Sequence, residues 1–138
     1  MTGRVTELLS TVVRWAEGDP LLVGVALVGS HARGAARADS DVDLVILSAE
    51  PKRYAEDTLW LRLFGEVASC TEEDWGLVTS LRVFYAHGLE VEFSHATPAW
   101  AALPIDAGTR RVVSDGMQVL YDPNSVFDGL QRAVGASG

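Results

Sequence analysis

Apolar residues along the chain follow two rhythms. Over residues 1–18, MTGRVTELLSTVVRWAEG, Val5, Leu8, Leu9, Val12 and Ala16 recur at helical spacing and predict an amphipathic helix. Gly18-Asp19-Pro20 interrupts it. The next run, LLVGVALVG (21–29), is apolar without alternation, as expected of a strand covered on both faces. Residues 30–38 read as a short helix or turn opening on a serine. DVDLVIL (41–47) reads as a second strand that alternates acid and apolar before becoming wholly apolar. AEPKRYAEDTLWLRLFG (49–65) predicts one helix, with proline near its start and Gly65 just past its end.

The second half predicts a hairpin: GLVTSLRVFY (76–85), the turn Ala86-His87-Gly88 and LEVEFS (89–94). A short helix over 108–116 closed by Gly116, a strand MQVLY (117–121) and a last helix starting at Asp122-Pro123 complete the order. That last helix carries Val126, Phe127, Leu130 and Val134. Helix, strand, helix, strand, helix, hairpin argues for an α+β (α/β) fold, a small mixed β-sheet with helices packed on one face. No repeat, low-complexity tract or linker appears, so residues 1–138 are expected to form a single domain.

Composition narrows the partners. The chain is 48% hydrophobic and 22% charged, ordinary for a globular protein, and no apolar run approaches the roughly 20 residues of a membrane span. No membrane partner is expected, and the polar residues among the first apolar ones do not read as a signal peptide. One cysteine, Cys70, excludes an internal disulfide or a cysteine-based metal cluster. A reduced, cytoplasmic protein is expected. The net charge of −8, a lone lysine (Lys52) and scattered arginines argue against a groove for long nucleic acid, which draws its affinity from phosphate contacts. A single nucleotide, whose charge a metal ion balances, stays open.

Chemistry concentrates in GSHARGAARADSDVDL, residues 29–44. Strand periodicity points Asp41 and Asp43 to one face, about 7 Å apart at the backbone, while Val42 and Leu44 face the core. Two ionised carboxylates so close repel unless a cation lies between them. Magnesium accepts one or two carboxylates together with substrate phosphates and water. Taken alone, the pair could equally be two solvated acids on an edge strand. The preceding loop shifts the balance. Gly29 permits close backbone approach or a positive φ, and Ser30 offers a hydroxyl where helix N–H groups point outward toward a phosphate. Loop and carboxylates together fit a metal–nucleoside triphosphate complex.

Gly29-Ser30, ten intervening residues and Asp41-Val42-Asp43 resemble the signature of the nucleotidyltransferase superfamily related to DNA polymerase beta. The wording of the whole segment is similar to the minimal nucleotidyltransferases, a branch that includes antitoxins paired with helical ribonuclease toxins. The resemblance implies a metal-dependent transfer of a nucleoside monophosphate, AMP from ATP, to an acceptor hydroxyl with release of pyrophosphate. It implies Mg²⁺, with Mn²⁺ as a substitute, and a third acid on a neighbouring strand. Glu90 and Glu92 in LEVEF share one parity, so periodicity leaves both open. The apolar–acid–apolar setting of Glu92, deeper in the strand, resembles the family's third-carboxylate position. Asp41, Asp43 and Glu92 are therefore the expected catalytic and metal-binding residues. Gly29, Ser30, Arg33 and Ser40 are the expected nucleotide-binding ones, Ser40 mainly as support for the acidic strand.

Other residues read more plainly. His31 is expected as a solvent-facing loop histidine, Arg37 as a surface arginine, and Arg33 either as a phosphate ligand or as a partner of nearby acids. Arg82 shares the polar hairpin face and could orient a glutamate, touch a phosphate or form a plain salt bridge. His87 and His95 lie near turns, Cys70 lacks a local partner, and the tryptophans are expected in packing. The acceptor is open between a protein side chain, a small molecule and an RNA end. Alternatives are an antitoxin that neutralises a toxin by binding or adenylylation, and an inactive nucleotide-binding module. A toxin partner or a homodimer is compatible with either.

Overall fold

The computed structural model describes residues 3–32, 34, 36, 40–74, 76, 78–101, 111 and 116–130. Among the described residues, the helices α1 (Gly3–Glu17), α2 (Gly29–Ala32) and α3 (Arg53–Glu56) accompany the strands β1 (Leu22–Val28), β2 (Val42–Ser48), β3 (Val67–Asp74), β4 (Val78–Tyr85), β5 (Glu90–Ala96) and β6 (Met117–Tyr121). They form one mixed sheet in the order β3-β4-β5-β2-β1-β6. Among the described residues, β2 and β5 pair in parallel and the other neighbours are antiparallel. The α+β expectation holds.

Helix α1 buries Val5, Leu8, Leu9, Val12 and Ala16, the five residues of its predicted stripe. Each large apolar side chain so buried contributes about 1.5–3 kcal/mol. The stripe packs on one sheet face, against Val25 and Leu27 of β1, Val42, Leu44 and Ile46 of β2, and Val91 and Phe93 of β5. Trp15 stacks on Trp60 at 4.8 Å between centroids, and Trp60 meets Phe93 edge-on at 4.9 Å, so these two tryptophans pack as expected; Trp75 lies outside the described residues. The other face carries a smaller cluster that includes Ala26, Val45, Leu47, Ala96, Phe127 and Leu130. Strand alternation puts Asp43 on this second face. There the acids take over where the apolar cluster stops.

Two expectations change. The helix over 49–65 is broken into α3 and a 3₁₀ segment, Leu59–Phe64, by an extended Asp57 (φ −121°, ψ 107°). Asp57 Oδ1 accepts from the Leu59 N–H at 3.2 Å, the local bonding by which Asp competes with helix. Strand β3, VASCTEED, was not expected: nearly all of it is exposed, so no alternation marks it, and pairing with β4 alone makes it a strand. The helix over 108–116 falls largely outside the described residues. The hairpin does form, closed by Gly88 N–H to Tyr85 O and Tyr85 N–H to Leu89 O, each 2.9 Å. At the chain's end, both Asp122 carboxylate oxygens accept backbone N–H groups, from Val126 at 2.7 Å and Phe127 at 3.1 Å, and helix follows over 128–130. Val134 lies outside the described residues.

Candidate functional site

The site begins where β1 ends. Val28 is paired with Asp43 in the antiparallel register of β1 and β2, so the residue after Val28 must turn beside that carboxylate. Gly29 does so at φ +75°, and a Cβ there would collide with Asp43 Oδ2. Glycine is needed both for the left-handed backbone and for the space. Ser30 follows, half-buried in the four-residue α2. His31, expected in solvent, is instead 7% exposed, with Nε2 3.3 Å from the Ser40 carbonyl. It ties the turn after β1 to the residue before the acids. Arg33 and Arg37 lie outside the described residues.

The acids come from two strands. Asp41 immediately precedes β2 and Asp43 lies within it. The parallel register sets Asp43 against Glu92 and Val42 against Val91. One carboxylate oxygen each from Asp41, Asp43 and Glu92 lie within 4.8 Å of one another, and all three residues are half-buried. Burial first, then the charge of Asp41, a hydrogen bond with it, and the charge of Glu92 push the Asp43 carboxyl from 3.8 up to about 7, against the opposing pull of Arg82. A group of oxygen donors that resists its own ionisation is suited to a hard divalent cation.

Glu90, left open by periodicity, stands apart from this trio. Arg82 of β4 faces Glu92 across the β4–β5 ladder; its Nη1 donates to Glu90 Oε2 at 2.9 Å and its Nη2 to Glu92 Oε2 at 3.0 Å. Glu92 first, then Glu90 and Asp41, push the guanidinium pKa further up. Sequence alternation had put Arg82 on this face but left its role among three.

Other candidates stand elsewhere. His87 Nε2 lies 3.0 Å from the Phe64 carbonyl, at the hairpin turn. His95 is fully buried on the opposite face from Asp43, stacked on Tyr54 at 5.0 Å, with both ring nitrogens unpartnered among the described residues. Burial drives its pKa down to about 3, so it is neutral. Nothing local in the sequence marked His95 or His31 as interior. Cys70 is exposed on β3, and burial and then Glu72 push its thiol up, away from reactivity.

A family model for the nucleotidyltransferase domain matches residues 9–87, more than half the chain. The match takes in Gly29, Ser30, Asp41 and Asp43 but ends before Glu92, whose place beside them is a finding of the strand register. No curated protein matches the chain significantly. Among solved structures, an aminoglycoside 6-adenyltransferase from Bacillus subtilis is 15% identical with a TM-score of 0.58, over 73% of this chain and 37% of that one. The apo form of a CCA-adding enzyme is 16% identical with a TM-score of 0.51, over 96% of this chain and 32% of that one. At such identities the likeness is one of fold, and the chain spans about a third of the length of either protein. A toxin–antitoxin structure with AMP-PNP aligns over 97% of this chain and 83% of that one at 14% identity and a TM-score of 0.45. Family match and sheet agree, and the chain belongs to the nucleotidyltransferase family, a transferase class of the polymerase beta-like type.

Proposed function

We propose that the chain moves AMP from ATP to an acceptor hydroxyl and releases pyrophosphate. The observation that carries this reading is the convergence of Asp41, Asp43 and Glu92 within 4.8 Å, beside the Gly29–Ser30 turn. Three carboxylates and a raised Asp43 pKa fit a divalent cation, Mg²⁺ with Mn²⁺ as a substitute. Asp41, Asp43 and Glu92 would hold it, and when bound it neutralises the triphosphate and eases deprotonation of the acceptor.

The chain's own groups then have defined tasks. The Gly29 turn brings backbone N–H groups and the Ser30 hydroxyl toward the β- and γ-phosphates. Ser40 supports the acidic strand from its start, and Arg33 supplies a further donor to the nucleotide. The acceptor oxygen attacks the α-phosphorus, the bond from that phosphorus to the α–β bridging oxygen breaks, and its electron pair leaves on pyrophosphate. Glu92, on the strand next to Asp43, either completes the cation's ligand set or takes the acceptor's proton. Most of the acceleration comes from orientation and charge, as in phosphoryl transfer generally. The alternative, that the chain is an antitoxin acting on a helical toxin by binding or adenylylation, uses the same site and differs in requiring a second protein.

The test is thermal unfolding with each of the four ribonucleoside triphosphates, with and without Mg²⁺, for the wild type and Asp43→Asn. A ligand at 100 times its Kd adds about 2.7 kcal/mol. A Mg²⁺-dependent rise in Tm with ATP that vanishes in Asp43→Asn is expected. No shift with any nucleotide overturns the reading.

A further inference from the structure

The sheet face next to the trio holds a second arrangement that metal binding alone does not require. Arg82 reaches two glutamates with two different nitrogens of one planar guanidinium, at 2.9 and 3.0 Å. Those glutamates are two residues apart on β5, so they share a face, and Arg82 sits directly across from Glu92. We infer that Arg82, held on its far side by Glu90, is a positioning residue that aims the Glu92 carboxylate at Asp41 and Asp43. The inference rests on the transferase reading above and adds to it the residues that shape its third acid.

The argument starts from the length of glutamate. A free Glu92 has three rotatable side-chain bonds and two like-charged neighbours, so repulsion and rotamer entropy both favour turning away from the trio. An opposite charge bonded to one of its oxygens offsets part of that repulsion and confines the side chain to one rotamer beside the trio. One arginine on one glutamate would be a swivelling contact. The planar fork held at both ends is not, because the Glu90 bond fixes the guanidinium before Glu92 uses it. The Glu90 and Glu92 side chains are 26% and 23% exposed while Arg82 is 41% exposed, so the acids are sheltered and the guanidinium stays partly in contact with water. Arg82 donates to Oε2 of Glu92, and among the described residues Oε1 is left available to a cation. The two-glutamate sequence of β5 thereby acquires a division of labour: Glu92 faces the site, and Glu90 holds the residue that points it there.

Binding of Mn²⁺ alone, followed by the electron paramagnetic resonance of the free ion, tests this in the full chain. Wild type is expected to bind, and Asp43→Asn to lose the site. Arg82→Gln is expected to weaken Mn²⁺ by roughly 10–100-fold, the usual effect of removing a group that orients a metal-binding side chain. Arg82→Lys, which lacks the fork, should recover little of that, and Glu90→Gln should weaken binding by roughly tenfold. Glu90→Gln also keeps the test decisive if Arg82→Gln does not fold. Because Arg82 acts through Glu92, Arg82→Gln should change almost nothing further in a Glu92→Gln background. Unaltered or tighter Mn²⁺ binding in both Arg82→Gln and Glu90→Gln, with the site still lost in Asp43→Asn, overturns the inference and leaves the transferase reading standing. An undiminished effect of Arg82→Gln in the Glu92→Gln background overturns it as well. Wild-type binding in Asp43→Asn overturns both together.

Discussion

The central strands β2 and β5 and the edge strand β3 both carry acids, yet the two regions use them in opposite ways. In β3, Glu72, Glu73 and Asp74 are consecutive, so alternation sends neighbours to opposite faces, and across the ladder they meet Leu81, Ser80 and Thr79. None faces another acid, and the strand is nearly all exposed. In the centre, the i, i+2 spacing of Asp41 and Asp43 and a parallel register that opposes Asp43 with Glu92 gather three half-buried carboxylates. Acid content does not separate the two regions. Parity, register and shelter do, because they decide whether charges add at one point or disperse into water.

The sharpest way to break the comparison is to neutralise one acid in each region. Asp43→Asn should lower nucleotidyl transfer on the order of 10³-fold, since a cation's stabilisation of transition-state charge is worth several kcal/mol and about 1.4 kcal/mol is tenfold in rate. Glu73→Gln should leave the rate within a factor of two. The rate of pyrophosphate release measures both. Equal losses would mean that convergence of charge is not what the site uses.

The same contrast explains what could be read from the chain. The α1 stripe was legible because one face of a helix is buried and the other wet, and all five expected residues are interior. Strand β1 was legible as an unbroken apolar run and β2 as one that becomes wholly apolar after Asp43, since the sheet is covered on both sides. Strand β3 was not, because a strand wet on both faces leaves no pattern. The break at Asp57 depends on one side chain bonding to the backbone two residues on, which periodicity over 49–65 does not register. At the site, Gly29, Asp41 and Asp43 announced themselves as a motif, while the choice between Glu90 and Glu92 required the strand register and the reach of Arg82. The burial of His31 is a tertiary fact with no local signature.

Glycine offers the next comparison. Gly29 and Gly76 both adopt positive φ, +75° and +87°, one against the carboxylates and one just beyond β3. A Cβ on Gly76 meets nothing within 4 Å, whereas one on Gly29 runs into the Asp43 carboxylate. Gly76→Ala should therefore cost only the left-handed backbone penalty, about 1–2 kcal/mol. Gly29→Ala adds displacement of Asp43 and should lose about 2–3 kcal/mol of stability together with the Mg²⁺-dependent nucleotide shift. Urea unfolding with and without ATP and Mg²⁺ distinguishes them. Equal costs, with the nucleotide shift intact, would mean that the site tolerates a looser Asp43.

The two faces of the sheet differ in their response to pH. Asp43, pushed up to about 7, binds its proton more tightly folded than unfolded, so in metal-free protein its contribution is fully present below about pH 4 and is lost as the pH rises through 7. His95, pushed down to about 3 on the apolar face, works the other way: its contribution is present above about pH 6.5 and is lost as the pH falls toward 3. With EDTA present the two should partly cancel between pH 4 and 6.5 in the wild type. Asp43→Asn removes one limb, so in urea unfolding at pH 8 it should be more stable than the wild type by an amount on the order of 1–2 kcal/mol once solvent screening of this half-buried group is allowed for. That advantage should vanish by about pH 4. Parallel profiles for the two proteins would show that Asp43 is not strained by its neighbours.

The smallest effect is expected where acids are most numerous in sequence. Glu72→Gln and Glu73→Gln remove charges that face water and neutral neighbours, so each should change stability by no more than about 0.5 kcal/mol and leave Mn²⁺ affinity untouched. A reversal, Glu73→Lys, is the harder case. Glu73 lies on the same face as Arg82 and the trio, through the cross-strand rows Glu73–Ser80 and Thr71–Arg82, so any long-range field would be felt there first. Salt screens such exposed charges over about 8 Å at physiological ionic strength. Two strands, β4 and β5, separate β3 from β2 at about 4.8 Å a step, so the charge stands more than one screening length from Asp43. Mn²⁺ titration of Glu73→Lys at low and at physiological salt should show a modest loss of affinity at low salt only. A loss that persists at physiological salt would extend the working site to the edge of the sheet and erase the distinction between the two regions.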